Sequence, residues 1–429
     1  MTRRMKDSGV EWIGEIPEEW DVRRTKTCYS CHKNIVGKDV DNYDRLALTL
    51  NGVIKRSKED TDGLQPTSFD TYQILESGEL VFKLIDLENI ATSRVGYSPY
   101  QGIVSPAYII LHPHACTFAR YGEYYFLSLW KREIFNNIGD DGVRSSLNKN
   151  DLLNIPYLLT SLNEQHAIVS HLDKECAEID SLAEKTRESI EEYKKLKQAV
   201  ITEAVTKGVR GKREMKDSGI EWIGDMPKEW ESLRKLSYIC SDNISYGVIK
   251  LFEPDDENGV KILRCSDVLP GKIVLDNVRT ITRELSQEYV RTILSGNEIV
   301  INVRGTLGGC AIITPEMKGF NVAREVAVIR TIEDIERKYV MYYLLSDAFV
   351  EYRDRYLTGS VYVGLNIEML SATPILLPSK EEQQEIADYL DKKTAEIDTL
   401  IAKKEALLEE LETYKKSLIY EYVTGKKRL

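Results

Sequence analysis

A sixteen-residue phrase occurs twice in this chain. "MKDSGVEWIGEIPEEW" spans Met5 to Trp20, and "MKDSGIEWIGDMPKEW" spans Met215 to Trp230, with twelve of the sixteen positions identical. A second block repeats further on: "EQHAIVSHLDKECAEIDSL", from Glu164 to Leu182, aligns with "EQQEIADYLDKKTAEIDTL", from Glu382 to Leu400. From there the register holds without a gap, pairing "ITEAVT" at Ile201 with "IYEYVT" at Ile419. The mates are 210 residues apart in the first block and 218 in the second, so the chain is a tandem duplication with eight extra residues inside its second copy. Whatever it folds into must contain one frame built twice.

Between the matched blocks the copies look unrelated. "LVFKLIDLENIATSRVGYSPYQGIVSPAYIIL" in the first has no visible counterpart in "IVINVRGTLGGCAIITPEMKGFNVAREVAVIR" of the second. Both inserts carry short β-branched and aromatic runs punctuated by Gly, Pro, Asn and Asp, which predicts compact mixed α/β domains. The matched tails have a different period. Leu172 and Ile179, and in the second copy Leu390, Ile397, Leu411 and Leu418, share a heptad position, with Leu182, Leu196 and Leu400 on the neighbouring one and charges over most of the rest. This predicts two long helices. Such a stripe needs cover, either from its own domain or from the other helix in an antiparallel coiled coil with pseudo-two-fold symmetry. The expected architecture is α+β, with globular domains at 1–160 and 211–378 and helical spacers at 161–210 and 379–429.

A chain of 429 residues with 42% apolar residues and 12 prolines is expected to fold as more than one globular unit. No apolar leader or membrane-length run is seen, which with seven scattered cysteines points to a cytoplasmic protein without a disulfide framework. The net charge of −11 is spread evenly, each of the four segments being mildly acidic. A nucleic-acid partner would therefore have to meet cations clustered on one face.

Motifs for chemistry are weak. "CYSCH", Cys28 to His32, fits the spacing of covalent haem attachment and could supply ligands for zinc, but no second C-x-x-C accompanies it and chance spacing is the favoured explanation. "NIPY", Asn154 to Tyr157, only approaches the motif with which amino-methyltransferases hold a flipped adenine. "RGTLGG", Arg304 to Gly309, is neither a dinucleotide nor a Walker loop and reads as a turn between strands. All five histidines lie in the first half, so a duplicated histidine-based active site is excluded. No catalytic residue and no metal ligand set is assigned, and the chain reads as a binder.

The whole order, a Trp-containing lead, a variable domain, an "EQ…I…LD…AEID" helix, and then all of it again, resembles the specificity subunits of Type I restriction-modification enzymes. "EWIGEIPEEW" is similar to that family's lead into each target-recognition domain. "NVRGTLGGCAIITPEMKGFNVAREVAVI" and "GIVSPAYIIL" resemble two classes of such domain. The resemblance implies a non-catalytic chain in which each variable domain reads one half of a bipartite double-stranded DNA site. It also implies helices that space the halves and dock two modification (methyltransferase) subunits, together with restriction subunits that translocate and cleave. No cofactor would sit in this chain: S-adenosylmethionine would belong to the modification subunits, ATP and Mg²⁺ to the restriction subunits. Base edges are read best by Arg, Asn and Gln, with Lys, Arg and Tyr on the backbone, which makes Arg94, Tyr97, Arg120 and Arg144 the candidates in the first domain and Lys250, Arg264, Arg304 and Arg324 in the second. The alternatives are a specificity chain serving a fused methyltransferase-nuclease, a cytosolic metal or haem protein using Cys28, Cys31 and His32, and a coiled-coil assembly protein.

Overall fold

The computed structural model describes residues 3–60, 68–88, 91–138, 146–250, 258–357 and 364–429, the side chains of 231 and 232 apart. It divides into two compact units: Met1–Thr186 together with Ala406–Leu429, and Arg187–Glu405. Two long helices, Leu162–Lys207 and Lys380–Val423, each give their first part to one unit and their last part to the other. At 1.5 Å per residue the first, with 46 residues, is about 69 Å long.

In the first unit the repeated phrase is a hairpin, Met5–Asp7 paired antiparallel with Glu15–Pro17. Gly9 and Gly14 take left-handed conformations at its turn, with φ of 70° and 72°, which a side chain would oppose. Ile13, Ile16 and Trp20 are buried, and the Trp20 indole N–H donates to Glu164 Oε2 at 2.9 Å near the start of the first long helix. The Arg3 guanidinium pairs with the other oxygen of Glu164 at 2.7 Å and lies over the Trp20 ring. The second unit repeats this clamp: hairpin Met215–Asp217 with Asp225–Pro227, Trp230 donating to Glu382 at 3.0 Å, and Arg213 pairing with Glu382 at 2.6 Å.

The helices run antiparallel within each unit. In the first, Asp180 meets Lys415 at 2.6 Å, and His171 packs on Tyr422. In the second, Lys197 meets Asp398 at 2.7 Å and Arg210 meets Glu385 at 2.7 Å. Asp398 and Lys415 are the duplication mates of Asp180 and Lys197, so one ion pair occurs twice. Leu172, Ile179, Leu390, Ile397 and Leu418 are buried, and Leu411 packs at the edge of the first unit's core. Leu182, Leu196 and Leu400, expected in the seam, are instead 46%, 48% and 40% exposed. Burial keeps the seven-residue repeat through Leu172, Cys176, Ile179, Ala183, Thr186 and Ile190, so the second seam position lies four residues after the first, and the leucines three residues after the first fall outside the contact. Ala183, Thr186 and Thr394 are buried in their stead, each threonine bonding the carbonyl four residues back.

The inserts differ in sequence yet share a topology. One sheet of the first unit runs in the order Tyr29–Ser30, Ile109–Pro113, Leu80–Phe82, Val95–Tyr97; its counterpart runs Ser245–Tyr246, Val326–Ile329, Ile299–Asn302, Cys310–Ile312. A second sheet has Gly52–Arg56, Arg45–Thr49 and Gly102–Val104, with Gln73–Leu75 added at the edge; its counterpart has Arg279–Ile281, Val260–Leu263 and Asn321–Val322. In each, the last-named shared strand pairs parallel with the middle one, at Ile103 with Arg45 and at Ile262 with Asn321. The central strands are buried apolar runs, such as Leu80–Phe82 and Ile299–Asn302, whose pattern rather than identity sets the pairing.

Candidate nucleic-acid interface

In the second unit the strand Ile299–Asn302 is followed by Val303, and the chain then turns through Arg304 to Gly309. Asn302, buried at the strand end, donates through its amide nitrogen to the carbonyls of Cys265 (3.0 Å), Val268 (3.1 Å) and Thr306 (3.0 Å). That one side chain ties the segment bearing Arg264 to the turn bearing Arg304. Gly305 takes φ of 71° and lies so close to Cys265 that an added Cβ would sit 3.1 Å from its Sγ. Val303 and Arg304 donate backbone N–H bonds to Glu325 O at 2.8 and 3.3 Å, which brings in the turn carrying Arg324. Val248 bridges Ala323, which brings Lys250 within two residues of the same place.

The four candidates of this unit thus sit on neighbouring segments, with different freedoms. Arg304 is exposed, its guanidinium 5.2 Å from the centre of the Tyr246 ring, which supports it from one side. Arg324 is exposed and makes no ion pair among the described residues. Arg264 is bound by both oxygens of Asp267, at 3.1 and 3.0 Å, and donates to Asn277 O at 2.9 Å. Lys250 is exposed and pairs with Glu288, whose hydrogen bond raises the lysine's pKa.

The first unit's candidates are placed otherwise. Arg94 is fully buried; it donates to Asp86 O at 2.6 Å and to Thr92 Oγ1 at 2.9 Å, and burial lowers its pKa. Its guanidinium holds a loop from beneath rather than facing solvent. Tyr97 and Arg120 come together, the guanidinium 5.7 Å from the ring centre. Arg120 pairs with Glu123 and, at 3.0 Å, with Asp173 on the long helix. Burial works against its charge, but those two carboxylates raise its pKa overall. The mates of Arg120 and Asp173 are Lys338 and Asp391, which also pair, so this contact belongs to the duplicated frame. Arg144 lies outside the described residues.

Sequence reasoning ranked arginines near turns and so missed the groups that shape those turns. Asn302 is one, and Tyr246 is another. A third is Glu79, buried under the insert, which accepts from Glu76 N and pairs with His112; the His112 ring stacks on His32 at 3.7 Å. Its counterpart Glu298 accepts from Ser295, Gly296 and Asn297 and pairs with Arg330 at 3.3 Å. Burial would raise the pKa of Glu298, but the bonds from the Ser295 hydroxyl and the backbone lower it on balance. Cys28 is buried, with its thiol toward Thr27 and its pKa raised by burial to about 11. Among the described residues no three His, Cys, Asp or Glu side chains gather as a metal site.

The family model described as "Type I restriction modification DNA specificity domain" matches residues 227–410. Over 404 residues the chain is 26% identical to a putative type I restriction enzyme specificity subunit, MjaX, of Methanocaldococcus jannaschii, covering 91% of this chain and 89% of that one. The chain is thus similar, over most of its length, to a specificity subunit of a type I restriction enzyme, and its second half matches that family's domain model. The Escherichia coli EcoBI specificity subunit is 27% identical over 254 residues, 56% of this chain and 52% of that one. Among solved structures, a chain from work on complex assembly and conformational transition of the type I R-M system superimposes with a TM-score of 0.73. The identity is 15%, over 96% of this chain and 99% of that one. The HsdS subunit of Thermoanaerobacter tengcongensis gives a TM-score of 0.50 at 15% identity, over 96% and 98%. The specificity-subunit fold is therefore shared at low identity, and two mixed α/β domains with long helices are what the duplication predicts. Among the described residues no helix is long and apolar enough to cross a membrane.

Proposed function

We propose that this chain is the non-catalytic address of its enzyme, each insert reading one half of a bipartite double-stranded DNA site. The observation that carries this is one topology presented with different chemistry. Arg304 occupies the register of Ile85, and Arg324 that of Pro106, its mate at the 218-residue spacing. Two heads of one shape with different outward side chains suit two unlike half-sites. With a net charge of −11, phosphate contacts fall to local cations, Lys250 and Arg324 on the second head, while bases are read by donors in the groove. The helical frame would dock two modification subunits and, with them, the restriction subunits. S-adenosylmethionine, ATP and Mg²⁺ would be held by those partners.

The test is to express the chain with its modification subunits in a host lacking other adenine methylation and to map modified adenines across the genome. The expected result is one motif of two specified parts separated by an unspecified spacer. A single uninterrupted motif, or no methylation with the partners present and assembled, would sink the proposal.

A further inference from the structure

The two inserts present one backbone position in the same setting with opposite chemistry. Leu84 O accepts from Leu147 N at 2.9 Å and Val303 O accepts from Leu365 N at 2.8 Å. Ile85 bridges Ser146 and Arg304 bridges Gly364. Ser146 and Leu147 are the duplication mates of Gly364 and Leu365. The following residue is left-handed in both, Asp86 at φ 54° and Gly305 at φ 71°. Asp86 accepts that conformation without being glycine, a cost usually borne where the chain must turn in one particular way.

Each turn is held from beneath and open on top. Arg94 reaches Asp86 O in the first head, and Asn302 reaches Thr306 O in the second. The outward side chains remain in water: Arg304 is exposed, and Ile85 is 45% exposed, a large apolar group at the end of a buried strand. A rigid turn whose tip side chain is exposed is a preorganised contact.

We infer that Ile85 and Arg304 are the matched base-reading positions of the two heads, Ile85 covering the methyl group of a thymine and Arg304 taking the acceptor edge of a guanine. This rests on the proposed reading of DNA by the inserts. Isoleucine has no donor or acceptor to offer a base, and the thymine methyl is the apolar feature of the major groove. The arginine fork matches guanine O6 and N7, and the Tyr246 ring against the guanidinium limits how it can turn.

The full chain is assembled with its modification subunits and titrated with duplexes carrying the mapped site, each thymine of the first head's half-site being replaced in turn by deoxyuridine. Removing the methyl is expected to weaken binding about fourfold at one position. That sensitivity disappears in Ile85→Ala and persists in Ile85→Val. In parallel, Arg304→Lys relaxes the choice of base at one guanine of the other half-site by roughly tenfold. Indifference to deoxyuridine throughout the half-site, or a sensitive position that Ile85→Ala leaves unchanged, overturns the assignment. A wild-type complex without a bipartite site overturns the reading beneath it instead.

Discussion

Glu164 and Glu382 open the two long helices, and each is gripped by an indole N–H and a guanidinium brought from the repeated phrase. Because Glu382 is 2% exposed, its charge depends on those partners more than that of Glu164, which keeps some water. Trp230→Phe removes the donor and leaves part of the indole's space empty, so it should lower the stability of the second unit by roughly 2–4 kcal/mol in urea titrations, and Trp20→Phe, whose glutamate keeps some water, should cost less. The two buried glutamates under the inserts make a second contrast. Glu79 faces a histidine and Glu298 an arginine. The hydrogen bond that the His112 ring donates to the Glu79 carboxylate, together with that group's charge, raises the pKa of His112 above 6.5, although burial opposes it. The protonated state is then favoured by folding. Its stabilisation is complete below the unfolded value near 6.5 and is lost as pH rises through the higher folded value. Urea melts between pH 6 and 9 should show the first unit weakening across that window and His112→Gln removing the slope. At the exposed tip, Arg304→Ala should reduce DNA affinity about tenfold or more while leaving assembly with the partners intact, as size-exclusion profiles beside binding isotherms would show.

At the scale of elements, the turn after Asn302 allows no side chain at its last glycine. A Cβ on Gly309 would lie 2.1 Å from Val268 O and 2.3 Å from the Asn302 amide nitrogen, neither of which can yield without breaking the tie between the two segments. Gly309→Ala should cost about 1–3 kcal/mol, read as a lower urea midpoint for the second unit. The ion pair that occurs twice on the helices is a milder device. Asp180 and Lys415 are partly exposed, so Asp180→Lys should cost no more than about 1 kcal/mol and the added Lys415→Asp should restore it in a double-mutant cycle. The frame was legible because clamp and helix residues recur in register: Trp20, Glu164, Leu172 and Asp180 all have mates. The kinship of the inserts was not, because a buried strand asks only for apolar residues, and "LVFK" and "IVIN" meet that demand without resembling each other. Nor does a sequence say which side of a turn an arginine takes, so Arg94 inside and Arg304 outside read alike. The seam was legible only in part, since its second position is held by Cys176, Ala183 and Ile190 rather than by the more conspicuous leucines, Leu182 and Leu196.

At the scale of the whole molecule, the first compact unit is not continuous in sequence. Its core, around Trp20, Leu172 and Ile179, is completed by Leu418, Ile419, Tyr422 and Val423, all nearly or fully buried. Tyr121 donates to Val423 O at 3.2 Å from inside that core, and Gly425 packs so closely on Pro17 that a Cβ would meet its ring at 2.5 Å. Removing 406–429 should therefore speed amide exchange in the first insert, about as far from the deletion in sequence as the chain allows, and spare the second, as hydrogen exchange read by mass spectrometry would show. A ribosome making this protein releases the start of the first head early and the residues that finish it only after the second unit. The second unit, continuous from Arg187 to Glu405, holds all its parts beforehand. A message cut short would thus yield a chain whose opening domain stays unsealed and open to proteases, so a working first head is itself a sign that translation reached the last turns of the second helix.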